Sequence, residues 1–300
     1  MRHKQVSISL FALLVLLSIG ILPTAIAAEN EVVVQTEEEL LVAIANRTAV
    51  IMIDGFIALN QAIVIEHHVT LHGQGTLTVS DWHRHFQVVE NGHLVLDGDI
   101  TLTRAADYDG HGGALLVSGG IFTLRSGQIY GNRLTRGGGI LLDYGRVYLY
   151  GGSISHNHAT LGGGVYIGSS VGNERVFTMR GGLIAENTAE FSGGGIFSYM
   201  STVHLERGII RDNHAAGHGG VYLSTSTSHQ IGARMQIEEN SPSNRHDATE
   251  LSGFERLQTL TVIHLLILFS IAVIGIIFTK RQNNRKRAIP SEIREQNKDI

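Results

Sequence analysis

Five copies of one short pattern restrict this 300-residue chain more than any other feature. The copies begin at Gly112-Gly113-Ala114, Gly138-Gly139-Ile140, Gly163-Gly164-Val165, Gly194-Gly195-Ile196 and Gly219-Gly220-Val221. Their period is about 25 residues, within the range of solenoids, and the third copy carries a short insertion around 169–174. Each copy later shows Ile-x-x-Asn, running from Ile129 to Asn132, Ile154 to Asn157, Ile184 to Asn187, Ile210 to Asn213 and Ile237 to Asn240. Glycine pairs and strand-length apolar runs exclude helical repeats, whose helices need roughly ten or more residues.

Each copy reads as three short strands separated by tight turns. In the second copy these are Ile140 to Leu142, Arg146 to Tyr150 and Ser153 to Ser155. The middle strand alternates with a period of two. Phe122 and Leu124, Val147 and Leu149, Phe177 and Met179, and Val203 and Leu205 fall on one side, and mostly polar residues on the other. Strands this short find partners only in the next copy, which predicts an all-β, right-handed parallel β-helix. Glycine pairs then occupy corners that need positive φ or close approach. Asn132, Asn157, Asn187, Asn213 and Asn240 share another corner, where asparagine tolerates a left-handed backbone and passes amide hydrogen bonds from coil to coil. They are expected to form a structural ladder.

The repeated coils are expected over 85–240, with an N-terminal cap and looser first coils over 28–84. There Thr36 to Glu39 fits a capping box, and Leu40, Leu41 and Ile44 give a short helix one apolar side, suited to covering the solenoid's open end. Residues 1–27 read as a secretory signal peptide: a basic start, an apolar run from Val6 to Leu22, and Ala25-Ile26-Ala27 before the cleavage point. A polar stalk over 241–259 leads to an apolar segment, 260–278, long enough to cross a bilayer as a helix. The tail, 279–300, opens with Lys280 and Arg281, a flank that stays cytoplasmic. The expected topology is a single-pass cell-membrane protein with the solenoid outside. With no cysteine in the chain, an exported domain must be held by packing and backbone hydrogen bonds. A formal net charge of −4 gives no reason to expect a nucleic-acid partner.

The Gly-Gly corners followed by a later asparagine resemble the repeats of polymorphic outer-membrane proteins and related adhesin-like proteins. The wider resemblance is to the pectate-lyase-like class of parallel β-helices, over about residues 85 to 240. It implies the fold and a surface or adhesion role. The phenylalanine that precedes x-x-Asn in that family is isoleucine here, and no C-terminal β-barrel pattern follows, so autotransport is not expected.

That class also contains lyases and hydrolases, which sets a second expectation. Glycoside hydrolysis needs two carboxyl groups across the scissile bond, and a lyase of this kind needs a carboxylate calcium site and a base. The one acidic cluster is Asp97, Asp99, Asp107 and Asp109, beside Gly110-His111-Gly112. Gly217-His218-Gly219 repeats that tripeptide at an equivalent corner, so the repeat explains it better than catalysis does. Calcium binding without catalysis is the intermediate alternative. His67, His68, His72, His83, His85 and His93 crowd the first coils without any metal-ligand spacing, and no cofactor is expected.

A binding surface is the leading expectation. If Ala114, Ile140, Val165, Ile196 and Val221 point inward, then Leu115, Leu141, Tyr166, Phe197 and Tyr222 line up outside as an apolar stripe. Tyr148 and Tyr150 stand on the adjoining face. The other arrangement leaves the stripe inward or covered by a loop, since both sets are apolar. The expected function is therefore a non-catalytic, membrane-anchored surface module for a glycan or protein partner. The alternative is a polysaccharide lyase or glycoside hydrolase at the acidic cluster.

Overall fold

A strand of three to five residues cannot sustain a sheet alone, so its hydrogen-bond partners must come from another pass of the chain. The computed structural model, which describes residues 31–80, 82–105, 113–168 and 174–247, shows that arrangement. The chain winds into a parallel β-solenoid of about seven coils. Equivalent residues of successive copies stand in register: Ile140 beside Val165, Val165 beside Ile196, and Ile196 beside Val221. The insertion in the third copy leaves this register intact. Leu142 pairs with Ile167 before it, and Gly145 to Leu149 pair with Arg175 to Met179 after it.

The alternation read in the middle strand is the alternation observed. Phe122, Leu124, Val147, Leu149, Phe177, Met179, Val203 and Leu205 all fill the interior. The isoleucines of the third face, Ile129, Ile154, Ile184 and Ile210, are fully buried in the same core. Each such side chain contributes about 1.5–3 kcal/mol relative to exposure, and the contribution repeats coil by coil.

The coil has four faces rather than three. After four of the five ladder asparagines the chain forms a further strand: Arg133–Arg136, His158–Leu161, Thr188–Ser192 and His214–Ala215, which make a separate four-stranded sheet. In three of the four strands its anchor is a small residue two places after the asparagine. Ala159, Ala189 and Ala215 are buried and pair with one another. Strands of two to five residues that bury two side chains at most, mostly small ones, give little alternation to read, so three strands were expected.

The asparagines form the expected ladder. The Asn157 backbone N–H and its Nδ2 both donate to Asn187 Oδ1 at 3.0 Å, and Asn157 Nδ2 also donates to the Ile129 carbonyl at 2.9 Å. Asn132, Asn187 and Asn213 repeat these bonds, and Asn240 extends them to Asn244 Oδ1. One detail of the expectation is corrected. The left-handed residue at this corner precedes the asparagine: Gly131, His156, Glu186, Asp212 and Glu239 have φ of 65°, 58°, 54°, 55° and 55°. The asparagine is thereby free to point inward.

The glycine corner also divides its tasks. Gly137, Gly162 and Gly193, just before the pairs, take the left-handed conformation, with φ of 59°, 65° and 66°. The pair itself serves close approach. A Cβ on Gly139 would lie 2.8 Å from the Gly164 carbonyl oxygen and 2.9 Å from the Ile154 side chain.

At the N-terminal side a helix spans Glu37–Ala45. Thr36 accepts from the Glu39 N–H, and the Glu39 carboxylate accepts from the Thr36 N–H, completing the capping box. Leu40 and Ala43 are buried in the solenoid core. At the other side the solenoid runs past Asn240, where the sequence reading ends it, because Arg245–Asp247 pairs with Val221–Leu223. The expected signal peptide at 1–27, membrane segment at 260–278 and tail at 279–300 lie outside the described residues, as does the stalk after Asp247. Among the described residues no helix is long and apolar enough to cross a membrane.

Candidate ligand-binding surface

The first-face stripe exists, but not as an exposed surface. In the first copy the register differs by one residue from the sequence reading. Leu115, not Ala114, pairs with Ile140 and fills the interior, so Leu116 continues the outer row. That row runs through Leu116, Leu141, Tyr166, Phe197, Tyr222 and His246. Leu116 and Leu141 are half-buried, whereas Tyr166, Phe197 and Tyr222 keep only 7, 2 and 3% of their surface.

The rings cover one another. Tyr166 and Phe197 stack with centroids 5.3 Å apart, Phe197 and Tyr222 at 4.8 Å, and Tyr222 and His246 at 5.5 Å, all within 12° of parallel. The Arg136 guanidinium caps the stack 5.5 Å from the Tyr166 centroid, and His218 flanks Tyr222 at 5.2 Å. Burial pushes the Tyr166 phenol above its usual pKa. Before the Gly194-Gly195 pair the chain folds over the base of the ring, and a side chain does not fit there: a Cβ on Gly193 would come within 2.7 Å of Phe197 Cβ. The signal for a covered stripe was therefore the third glycine of Gly162-Gly163-Gly164 and Gly193-Gly194-Gly195. Tyr166, Phe197 and Tyr222 contribute packing and are not an accessible binding row.

Tyr148 and Tyr150 do face outward on the middle strand. Tyr150 is 45% exposed, and the two rings lie 6.3 Å apart. Arg180, on the next coil, stands 5.9 Å from the Tyr150 centroid and donates from Nη1 to the Tyr150 hydroxyl. Its Nε also donates to Glu206 at 3.1 Å. Tyr150, Arg180 and Glu206 thus form one exposed polar and aromatic column over three coils.

The acidic cluster is only partly within the described residues. The Asp97 carboxylate pairs with Arg125 at 3.2 Å and accepts from the Ser126 hydroxyl at 3.2 Å. Asp99 sits beside Gln74 on the neighbouring coil. Asp107, Asp109 and Gly110 to Gly112 lie outside the described residues. Among the described residues no group of three His, Cys, Asp or Glu side chains is placed to hold a metal ion.

Of the crowded histidines, His85 has a role that nothing in the sequence signalled. Its ring is fully buried, with Nδ1 3.0 Å from the Gly113 carbonyl and Nε2 2.9 Å from the carbonyls of Leu77 and Thr103. Burial lowers its pKa to about 4, outweighing the three carbonyls, which favour the charged ring. Beside it, Arg84 donates to the carbonyls of Leu115 and Arg136 at 2.7 and 3.1 Å, tying three coils together.

The corner between the first and middle faces opens into a cleft of about 440 Å³. Two irregularities produce it. Val89 pairs with both Ser118 and Gly119, and the pairing shifts again on either side of Tyr144. Such bulges kink a strand and re-aim its side chains. The floor is backbone, from Gly92, Gly119, Gly120 and Gly145. Glu90, Asn91 and His93 stand on one side, and Tyr144, Arg146 and Glu174 on the other. Tyr144 rests against the glycine floor, since a Cβ on Gly119 would meet its ring at 2.8 Å. Arg146 and Glu174 pair at 2.8 Å. The equivalent corners of later coils are closed by hydroxyl pairs, Ser198 with Ser201 and Ser224 with Thr227.

No protein-family model matches the chain, and neither a curated protein nor a solved structure matches it significantly.

Proposed function

We propose that this chain is an exported, single-pass membrane protein. Its solenoid is a non-catalytic binding module for a glycan or a surface protein. Right-handed winding, the Glu37–Ala45 helix as a lid over the first coil, and likeness to adhesin-type repeats belong to the same reading. The anchoring part rests on the sequence at 1–27 and 260–278 with its basic flank. The observation that carries the binding part is the exposed column of Tyr150, Arg180 and Glu206, linked by side-chain hydrogen bonds just past the ends of paired strands, with half-buried Tyr148 beside it. Aromatic and arginine side chains on a rigid scaffold are the groups that dominate recognition energetics.

The test is binding of the full chain to glycan and surface-protein arrays, with Tyr148→Ala and Tyr150→Ala alongside. The expected result is a partner whose binding weakens in both variants while thermal stability is kept. A partner bound equally by both variants removes the column from the argument.

A further inference from the structure

The cleft beside Tyr144 has the chemistry of a small, selective site. Its volume lies within the range of small-molecule pockets, about 300–1,000 Å³. Its lining is unlike that of a pocket for an apolar ligand. Among the described residues Ile121 is the one aliphatic side chain lining it, and the rest of that surface is glycine backbone, amide, imidazole, phenol and charge. A ligand must therefore offer many hydrogen-bonding groups over a small volume, together with one apolar patch to lie on the Tyr144 ring.

Charge narrows the choice. Glu90 and Glu174 bring two carboxylates against the single guanidinium of Arg146, which already pairs with Glu174. His93 adds no compensating positive charge at neutral pH, because burial, His68 and Arg125 all hold its pKa below the usual value. Both of its ring nitrogens are also engaged, Nδ1 with His68 at 3.1 Å and Nε2 with the Thr123 hydroxyl at 3.0 Å. The rim is therefore net negative. An acidic sugar, a phosphate or a sulfate would meet repulsion there, whereas a neutral ring or one with an ammonium group would not. An ammonium over the Tyr144 face gains a further cation–π attraction.

We propose that this cleft binds one or two units of a neutral or amino sugar. In that arrangement a ring lies on Tyr144, its hydroxyl or amino groups donate to Glu90 and Glu174, and the glycine backbone forms the floor. The proposal deepens the reading of the solenoid as a glycan-binding module and rests on it. It adds a second contact for the sugar, at the corner cleft, to the one proposed at the Tyr148–Tyr150 column.

The experiment is titration calorimetry of the full chain in detergent with three trisaccharide probes: chitotriose, its de-acetylated amino form, and a trimer of galacturonic acid. Each is repeated with Tyr144→Ala, Tyr144→Phe, Glu90→Gln and Tyr150→Ala, and circular dichroism verifies that each variant keeps its strand content. The expected result is binding of chitotriose or its amino form, but not of the acidic trimer. Affinity should fall about tenfold or more in Tyr144→Ala, the size of one lost contact of roughly 1.4 kcal/mol. It should be kept in Tyr144→Phe, and Glu90→Gln should weaken the amino form more than the neutral one. Sugar binding lost in Tyr150→Ala but kept in Tyr144→Ala overturns the cleft and leaves the glycan reading standing. Preference for the acidic trimer overturns the charge argument, and with it the cleft. Absence of binding to all three probes overturns the proposal as well; binding to a protein on the array would then separate its failure from that of the wider reading.

Discussion

Substituting Asn187 by alanine removes a side chain that makes four hydrogen bonds in a fully buried corner. Its Oδ1 accepts from the Asn157 backbone N–H and from Asn157 Nδ2, both at 3.0 Å. Its Nδ2 donates to the Ile154 carbonyl at 2.8 Å and to Asn213 Oδ1 at 2.9 Å. Asn213 Oδ1 retains a donor, the Asn187 backbone N–H at 3.0 Å. The Asn157 N–H loses its ladder acceptor and the Ile154 carbonyl loses the amide donor, and burial keeps water from replacing them. Each such group costs about 1–3 kcal/mol, so the variant should lose about 2–6 kcal/mol. Because each coil contacts only its neighbours, the damage should also appear as a weak joint within the array. Urea unfolding followed by circular dichroism measures the total. Amide hydrogen exchange at Ile154 to Asn157, compared with the coils around Phe86, locates it. A loss below about 1 kcal/mol, or protection unchanged at Asn157, would refute the view that the amides serve the backbone.

Three further outcomes are expected. Gly139→Ala should cost about 1–3 kcal/mol in urea unfolding by overpacking, because the added Cβ meets a carbonyl and a core isoleucine although the backbone conformation is ordinary. Phe197→Ala should lower stability by about 3–5 kcal/mol in thermal or urea unfolding, since the ring is buried within a stack; an unchanged melting temperature would restore the picture of an exposed stripe. His85 sets a pH dependence. Its folded pKa of about 4 lies below the ordinary value of 6.5, so acidification protonates the unfolded chain first. The stability associated with the neutral ring is complete above about pH 6.5 and falls as pH drops towards 4, by about 3 kcal/mol in all. Melting temperatures of the protein and of His85→Gln across that range check the sign. A melting temperature that rises on acidification in a His85-dependent way would mean that the three carbonyls outweigh burial.

Much of this architecture is legible in the sequence because the constraints repeat. An asparagine recurring three places after an isoleucine in all five copies has only one environment that satisfies it each time, and the same holds for Val147 and Leu149 and their equivalents. What was missed has identifiable causes. Ala114 and Leu115 are both apolar, so a one-residue slip in the first copy left no polar side chain on the wrong face to betray it. The fourth face is anchored by single alanines, which carry almost no pattern. The stack of Tyr166, Phe197 and Tyr222 read as exposed because strand parity gives direction and not cover; the cover comes from residues of another face. The Tyr144 cleft depends on bulges, and a bulge is a matter of pairing between distant segments that local spacing does not encode.

The unbroken pairing on both sides of the third copy's extra residues has a consequence for how such a chain can vary. Added length at a corner leaves the phase of every later strand untouched, whereas one residue gained or lost inside a strand would turn the interior outward from that point. A duplicated coil brings its own asparagine, its own glycines and its own ring, and fits between two existing neighbours with every polar group answered. Related chains should therefore differ by whole periods or by corner loops, so that the length of the stack changes in discrete steps while the cross-section stays fixed.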